Sequence, residues 1–166
     1  MKSTSSTSSL KRLRKVLLEH YLRTHRDLPW RRTRDPWSIW VSEIMLQQTQ
    51  VKTVVPRYQA FLDQFPTVEA LAAVEEAVVC EAWAGLGFYR RARNLHKAAG
   101  VVMTQWGGVV PGTVVELESL PGVGRYTAGA VASIAFGQEA PLVDGNVIRV
   151  FARLFALPGR SDDPKL

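Results

Sequence analysis

Two acidic residues lie in surroundings that should move their pKa values in opposite directions. Glu43, in "VSEIMLQQTQV", is the only acid between residues 35 and 63. Its apolar neighbours should disfavour the ionised carboxylate and raise its pKa, which suits an acid. Asp144, in "PLVDGNVIRV", precedes a predicted helix. Amide donors and the helix dipole should keep this carboxylate ionised there. An acid and a fixed anion together are suited to general acid catalysis at a centre that becomes positively charged.

Each carboxylate also has a purely structural explanation. Aspartate is a common N-cap, so Asp144 would simply begin a helix. Glu43 would be a partly buried carboxylate paired with an arginine, several of which lie nearby in "RDLPWRRTRDPW". The residues alone leave both alternatives open.

The segments around both acids have helical periodicity. Trp37, Trp40, Val41, Ile44 and Met45 recur at helical spacing, and Pro and Gly separate further amphipathic segments. The apolar runs "GVV" and "APLV" are too short to pair as strands. The sequence therefore predicts an all-α fold, either a bundle or a helical barrel.

The organisation expected along the chain has four parts. Residues 1–12 are predicted to be a disordered tail, and residues 13–28 an N-terminal helix of a partial second domain. Residues 29–143 should form a helical barrel that contains a helix–hairpin–helix at 114–136. Residues 144–166 should begin a C-terminal helical part that is truncated. Further helices are predicted at 54–65, after an N-cap at Thr67, and at 75–83, 88–106, 114–120 and 125–136.

The composition of the chain limits the classes of partner and of metal site that it can have. The net charge is +6 and the pI about 9.8, which indicates a polyanionic partner, nucleic acid first, although a protein can be basic for other reasons. The single cysteine, Cys80, excludes an internal disulfide and a cysteine-based metal site, and the three histidines lack metal-ligand spacing, so no metal site is predicted. No apolar run could span a membrane, and an intracellular location is expected, cytoplasm or nucleoid in a bacterium.

A glycine-rich hairpin is the most specific local signal. In "LPGVGRYTAGA", Gly122 and Gly124 should permit backbone conformations that other residues resist. The bare amides of the hairpin and the next helix start would form an anion site. No P-loop lysine is present, so a phosphodiester backbone fits better than a nucleotide triphosphate. The alternative is an ordinary turn between two packed helices.

Several motifs together resemble one family. "LPGVGRYTAGAV" resembles the helix–hairpin–helix of base-excision DNA glycosylases, and "PLVDGNVIRV" follows where that superfamily places its catalytic aspartate. "LPWR", "WVSEIMLQQTQV" and "GLGFYRRARNLHKAA" are similar to the adenine glycosylase (MutY-type) branch. The resemblance covers about residues 28–157. It implies a monomeric, monofunctional enzyme that removes adenine mispaired with 8-oxoguanine or guanine in double-stranded DNA.

The resemblance also implies roles for particular residues. Glu43 would be the acid and Asp144 the stabilising anion, with Asn146 beside it. Tyr126 stands where the endonuclease III branch has a nucleophilic lysine, and a phenol cannot form a Schiff base. A thymine-mismatch branch also carries tyrosine there, although "SEIMLQQTQV" favours adenine. A DNA-binding fragment without catalysis is a further alternative, and a protein scaffold a weaker one.

The expected DNA contacts fall into three groups. The adenine pocket would include Trp30, Arg31, Leu46 and Val51. Gln48 and Thr49 would contact the base opposite, and Phe88 would intercalate. The hairpin residues Gly122, Val123, Gly124 and Arg125 would bind phosphate. Arg90, Arg91 and Arg93 would form either a solvated helix face or phosphate contacts.

The resemblance also bears on cofactors. Family members usually continue into four cysteines that hold a [4Fe–4S] cluster, and then into a domain that recognises 8-oxoguanine. This sequence stops before both, so we expect no cofactor to be bound by these residues and a cluster only in a full-length relative.

Overall fold

The structure, a computed structural model, describes residues 4–156, with side chains from residue 9 onward. Every regular element within that range is helical, which confirms the all-α prediction. Contacts divide the chain into two units, residues 1–32 and residues 33–166. Residues 33–156 therefore lie in one unit, and the boundary expected at residue 144 stays a prediction.

The first unit is built on helix α1, Thr4–Thr24. The predicted tail of residues 1–12 is therefore helical from Thr4 onward, whereas residues 1–3 lie outside the described part. No Gly or Pro occurs between residues 4 and 24, so nothing in this stretch interrupts a helix. Most apolar side chains of α1, including Leu17 and Leu22, are exposed, whereas Leu13 is half-buried.

A short 3-10 helix, Pro29–Arg31, completes the first unit. Arg31 Nη1 donates a hydrogen bond to the Arg26 carbonyl at 3.0 Å, and Arg32 forms an ion pair with Asp27. These local bonds join the 3-10 helix and Arg32 to the residues that follow α1.

The second unit contains the remaining helices of the described range. They are α2 (Pro36–Leu46), α3 (Val51–Gln64), α4 (Val68–Ala72), α5 (Glu76–Ala82), α6 (Arg90–Trp106), α7 (Val114–Glu118), α8 (Arg125–Phe136) and α9 (Gly145–Leu154). The bounds of α8 match the prediction. Helix α3 begins three residues earlier than predicted, and α7 ends two residues earlier.

Helix α2 is the centre of this unit. It packs against α3, α6 and α8, while α4 and α5 pack on α6 and α7 packs on α8. Trp40, Val41 and Met45 of α2 are completely buried. Phe61 makes edge-on ring contacts with Phe65 and Trp83, with centroids 4.9 and 5.6 Å apart. A helix that is buried on several sides holds any polar group it carries in a fixed place.

Side-chain caps fix several helix starts. Asp35 accepts a hydrogen bond from the Ser38 amide at 2.8 Å at the start of α2. Thr67, the predicted N-cap, accepts one from the Ala70 amide at 3.1 Å. Thr113 and Glu116 form a reciprocal capping box at the start of α7. These caps explain why the sequence located these helix starts closely.

Candidate active site

Glu43 lies on α2, with its carboxylate half-buried among apolar neighbours. Burial raises its pKa from an ordinary 4.5 to about 7. Within residues 9–156 no ion pair reaches Glu43, so the alternative of a carboxylate neutralised by arginine finds no support there. The carboxyl is therefore substantially protonated near neutral pH, as expected from its apolar surroundings.

Asp144 is the N-cap of α9. Its Oδ1 accepts hydrogen bonds from the Val147 amide at 2.8 Å and the Asn146 amide at 3.0 Å. The Asn146 side chain donates to Oδ2 at 2.8 Å and itself accepts from Arg149. The Val147 amide bond, followed by the Asn146 bonds and the Arg149 charge, lowers the pKa of Asp144. The carboxylate is therefore held as an anion and also begins the helix.

Tyr126 connects the two acids electrostatically. It lies in the first turn of α8, with 43% of its surface exposed. Burial of part of the phenol raises its pKa, and the negative charges of Glu43 and Asp144 raise it further. Because both carboxylates act on this phenol, the three groups lie near enough to one another to influence each other's charge. The phenol is consequently protonated at neutral pH and is able to donate a hydrogen bond.

A hydrogen bond between helices fixes the position of Glu43 relative to Tyr126. Gln47, one turn after Glu43, donates from Nε2 to Thr127 Oγ1 at 3.2 Å. Small buried residues of α8 let α2 pack closely on it. On α8, a Cβ at Gly129 would also lie 2.7 Å from the Pro141 carbonyl oxygen, so the segment before α9 approaches this helix closely. The amide of Gln47 therefore binds inside the protein, unlike that of the exposed Gln48. Only a residue's neighbours in space reveal such a bond.

The hairpin between α7 and α8 depends on one glycine more than on the other. Gly122 has a φ of +77°, and a Cβ there would lie 2.6 Å from Cβ of Asn94. Gly124 has a φ of −92° and open space around it, so the prediction that it needs a special conformation was wrong. Val123 is buried, whereas Gly124 and Arg125 are exposed. The first amides of α8 lack acceptors within the helix, as an anion site requires.

Two side chains predicted to enter DNA stand on strained backbone. Gln48 has a φ of +55° and Phe88 a φ of +48°, and both are exposed, Phe88 by 58%. Non-glycine residues with positive φ are uncommon and cluster at functional sites. Thr49 is half-buried, and its hydroxyl accepts a hydrogen bond from Arg91 at 2.9 Å. Leu46 and Val51 are half-buried at the adjoining ends of α2 and α3.

Arg91 does not lie on a solvated helix face. Only 9% of its surface is exposed, whereas Arg90 and Arg93 are exposed. Its guanidinium binds carbonyl oxygens at the end of α2 and in the loop before Phe88. The sequence does not distinguish these three arginines, because all lie in the first turn of an amphipathic helix.

Trp30 and Arg31 belong to the first unit. Trp30 is buried, and the Arg31 guanidinium lies over the Tyr21 ring with 5.6 Å to its centroid. Their part in an adenine pocket stays a prediction.

The residues present do not fit an iron–sulfur cluster. A [4Fe–4S] cluster is held by four thiolates, and the sequence contains only Cys80. Among residues 9–156 no group of three or more His, Cys, Asp or Glu could hold a metal ion.

Across the described helices, none is long and apolar enough to cross a membrane.

Comparison with known proteins agrees with this geometry. Residues 41–166 match the HhH-GPD superfamily of base excision DNA repair proteins. The chain belongs to this superfamily. Human adenine DNA glycosylase is 49% identical over 85% of this chain. The match spans only 28% of the human protein's length.

Solved structures of the superfamily resemble the fold closely. A thermostable thymine-DNA glycosylase superposes with a TM-score of 0.87 at 32% identity, over 96% of this chain and 73% of that one. A trapped endonuclease III–DNA covalent intermediate gives 0.79 at 28% identity, over 94% of this chain and 71% of that one. The HhH-GPD fold predicted from the hairpin motif is therefore confirmed.

Proposed function

We propose that this HhH-GPD chain is a monofunctional DNA N-glycosylase domain that removes adenine mispaired with 8-oxoguanine or guanine. One observation carries the proposal. Glu43 has a raised pKa of about 7, Asp144 has a lowered pKa, and both charges act on Tyr126. Cleavage of an N-glycosidic bond needs these two protonation states at once.

The chemistry divides between the two carboxyl groups. Protonated Glu43 gives its proton to the purine as the bond between sugar C1′ and the base nitrogen breaks, and the bonding electrons leave with the base. The sugar becomes an oxocarbenium ion, and the Asp144 carboxylate stabilises its charge. Glu43, now ionised, takes a proton from water as the water oxygen bonds to C1′. The products are free adenine and an abasic site.

Tyr126 supports a reaction without strand cleavage. Its phenol is held protonated by burial and by two nearby negative charges, and it has no amine with which to form a Schiff base. Gln47 and Thr127 hold its helix against that of Glu43. The expected product is therefore an intact strand that carries an abasic site.

DNA contacts would come from the exposed features around this centre. The hairpin presents the first amides of α8 beside the exposed Arg125, which suits a phosphate. Gln48 and Phe88 project on strained backbone and would enter the base stack as adenine leaves it. The partner is double-stranded DNA, bound by a monomer inside the cell, in the cytoplasm or nucleoid of a bacterium.

A second function is favoured by one comparison. The superposition on a thermostable thymine-DNA glycosylase has a TM-score of 0.87. A thymine-mismatch activity would use the same acid and anion with a different pocket. Sequence identity of 49% to the human adenine enzyme supports adenine instead.

Substrate choice is tested by single-turnover excision from four duplexes: adenine opposite 8-oxoguanine, adenine opposite guanine, thymine opposite guanine, and adenine opposite thymine. We expect excision only from the first two, with strand breaks appearing only after alkali. Thymine release would favour the second function. Salt-dependent binding without any abasic product would identify a DNA-binding fragment.

A further inference from the structure

Arg91, near the start of α6, is the only buried arginine in the described part of the chain. Burying a guanidinium is costly unless its donors are satisfied. Among the described residues no carboxylate pairs with it, so backbone oxygen atoms and one hydroxyl accept from its two terminal nitrogens, whereas its buried Nε has no hydrogen-bond partner there. Those acceptors come from two separate places in the chain.

One set of acceptors belongs to the end of α2 and the turn after it. Arg91 Nη1 donates to the carbonyl oxygens of Ile44 at 2.9 Å, Met45 at 2.8 Å and Gln47 at 2.5 Å. The last carbonyls of a helix lack partners within it and carry the negative end of the dipole. A buried cation at this position therefore satisfies both the carbonyls and the dipole.

The other set belongs mainly to the loop that precedes Phe88. Arg91 Nη2 donates to the carbonyl oxygens of Leu86 at 3.1 Å and Gly87 at 3.2 Å. It also donates to Oγ1 of Thr49 at 2.9 Å, and Thr49 is the residue that follows Gln48 in the chain. The guanidinium carbon lies 5.4 Å from the centre of the Phe88 ring. One side chain thus joins the two turns.

The residues that accept hydrogen bonds from Arg91 lie next to Gln48 and Phe88 in the chain, two exposed side chains on backbone with positive φ. Gln47 and Thr49 flank Gln48, while Leu86 and Gly87 immediately precede Phe88. Strained backbone of this kind persists only where its surroundings enforce it. Arg91 supplies that enforcement at both places, because its two terminal nitrogens carry four N–H groups that six oxygen atoms share.

We propose that Arg91 is a positioning residue that holds Gln48 and Phe88 as one rigid pair, so that both side chains enter the DNA base stack together. The inference rests on the proposed function. Lysine cannot replace arginine here, because one ammonium group has three donors and lacks the planar fork that reaches both turns.

The test compares Arg91→Lys with a matched control, Arg14→Lys, which makes the same change on the exposed surface of α1. The probe is a duplex with 2-aminopurine next to an adenine–guanine mispair, whose fluorescence rises when a side chain disrupts stacking. This readout needs no base removal. Circular dichroism and thermal unfolding establish that each variant is folded.

We expect Arg91→Lys to lose at least about 80% of the fluorescence rise and about tenfold in affinity for the mispair. Its affinity for a fully paired duplex should stay within about threefold of the parent, because phosphate contacts remain. Arg14→Lys should match the parent in both. A purely structural Arg91 would lower affinity for both duplexes alike, and that result would overturn the inference. A parental fluorescence rise in Arg91→Lys would overturn it as well.

If Arg91→Lys does not fold, Thr49→Val provides the second variant, since it removes one acceptor at the edge of the network. It should reduce the fluorescence rise at least about twofold, and a parental rise would contradict the inference. Adenine release by the parent is measured separately. If the parent neither excises adenine nor raises fluorescence, the proposed function fails and the inference with it. If the parent does both and Arg91→Lys behaves like it, only the inference fails.

Discussion

Gln47 Nε2 lies 3.2 Å from Thr127 Oγ1, and this hydrogen bond ties the helix of the acid to the helix of the phenol. Gln47 is one helical turn from Glu43, and Thr127 is next to Tyr126. Thr127 is buried, so its hydroxyl has little access to water as an alternative partner. Loss of the bond would therefore leave a buried group without its partner and would let Glu43 shift relative to Tyr126.

Replacing Thr127 with valine keeps the shape of the side chain and removes the acceptor. We expect adenine excision to slow about tenfold, because catalytic groups tolerate little displacement. The free energy of unfolding should fall by about 1 kcal/mol. Thr127→Ser keeps the hydroxyl and serves as the control. Single-turnover rates and thermal unfolding provide the measurements, and a parental rate in Thr127→Val would show that the bond has no catalytic consequence.

Glu43 should reduce stability at neutral and alkaline pH. The unfolded carboxyl ionises near its ordinary pKa of 4.5, and the folded one near 7. Because the folded pKa is the higher one, stability is greatest below 4.5 and declines as pH rises towards 7. Glu43→Gln removes this decline, so at pH 8 it should be about 1–3 kcal/mol more stable than the parent, since water still reaches part of the carboxylate. Urea unfolding at pH 4.5 and pH 8 measures the difference. If the difference in unfolding free energy between Glu43→Gln and the parent were the same at pH 4.5 and at pH 8, the Glu43 carboxyl would not be desolvated.

Asp144 combines a cap with a charge, and two substitutions separate these roles. Asparagine is about as good an N-cap as aspartate, so Asp144→Asn should change the free energy of unfolding by less than about 1 kcal/mol. It removes the anion, so excision should slow at least about 100-fold. Asp144→Ala should lose the cap as well, which costs about 0.5–2 kcal/mol. If Asp144→Asn excises adenine at the parental rate, Asp144 serves only as an N-cap.

The two hairpin glycines should respond differently to alanine. Gly122→Ala should reduce the free energy of unfolding by about 1–3 kcal/mol, because the backbone has a positive φ there and the added Cβ would collide with Asn94. At Gly124 the added methyl meets open space, so stability should change by less than about 0.5 kcal/mol. The same methyl would keep a phosphate from the amides of α8, so duplex affinity should fall. Urea unfolding and fluorescence anisotropy across several salt concentrations measure both effects. Unchanged affinity in Gly124→Ala would place the phosphate elsewhere.

Local signals explain which parts of the fold were predictable. Helix α8 was located at both ends because Gly124 and Gly137 flank it, and α4 because Thr67 caps its first turn. The direction of the pKa shift of Asp144 was predictable because its donors are the next residues in the chain, and that of Glu43 because a helix that is apolar on more than one side must be buried. Such features follow from composition over a few residues.

Contacts across the fold explain what was missed. Arg91 differs from Arg90 and Arg93 only through the carbonyls that it meets 44 to 47 residues earlier in the chain. The φ angle of Gly124 and the internal bond of Gln47 likewise depend on how helices pack. No local pattern of residue types encodes these choices. The roles given to the site residues rest on their placement and stay predictions.

The central claim is that Glu43 is the acid that releases adenine. It is tested by single-turnover excision from a duplex with adenine opposite 8-oxoguanine, measured between pH 5 and pH 9 for the parent and for Glu43→Gln. We predict that the parent releases free adenine at a rate that declines as pH rises through about 7, where Glu43 loses its proton. Glu43→Gln should be slower by about 100-fold or more, without an inflection near that pH. Release at the background rate by the parent, or an equal rate and pH profile in Glu43→Gln, would contradict the claim.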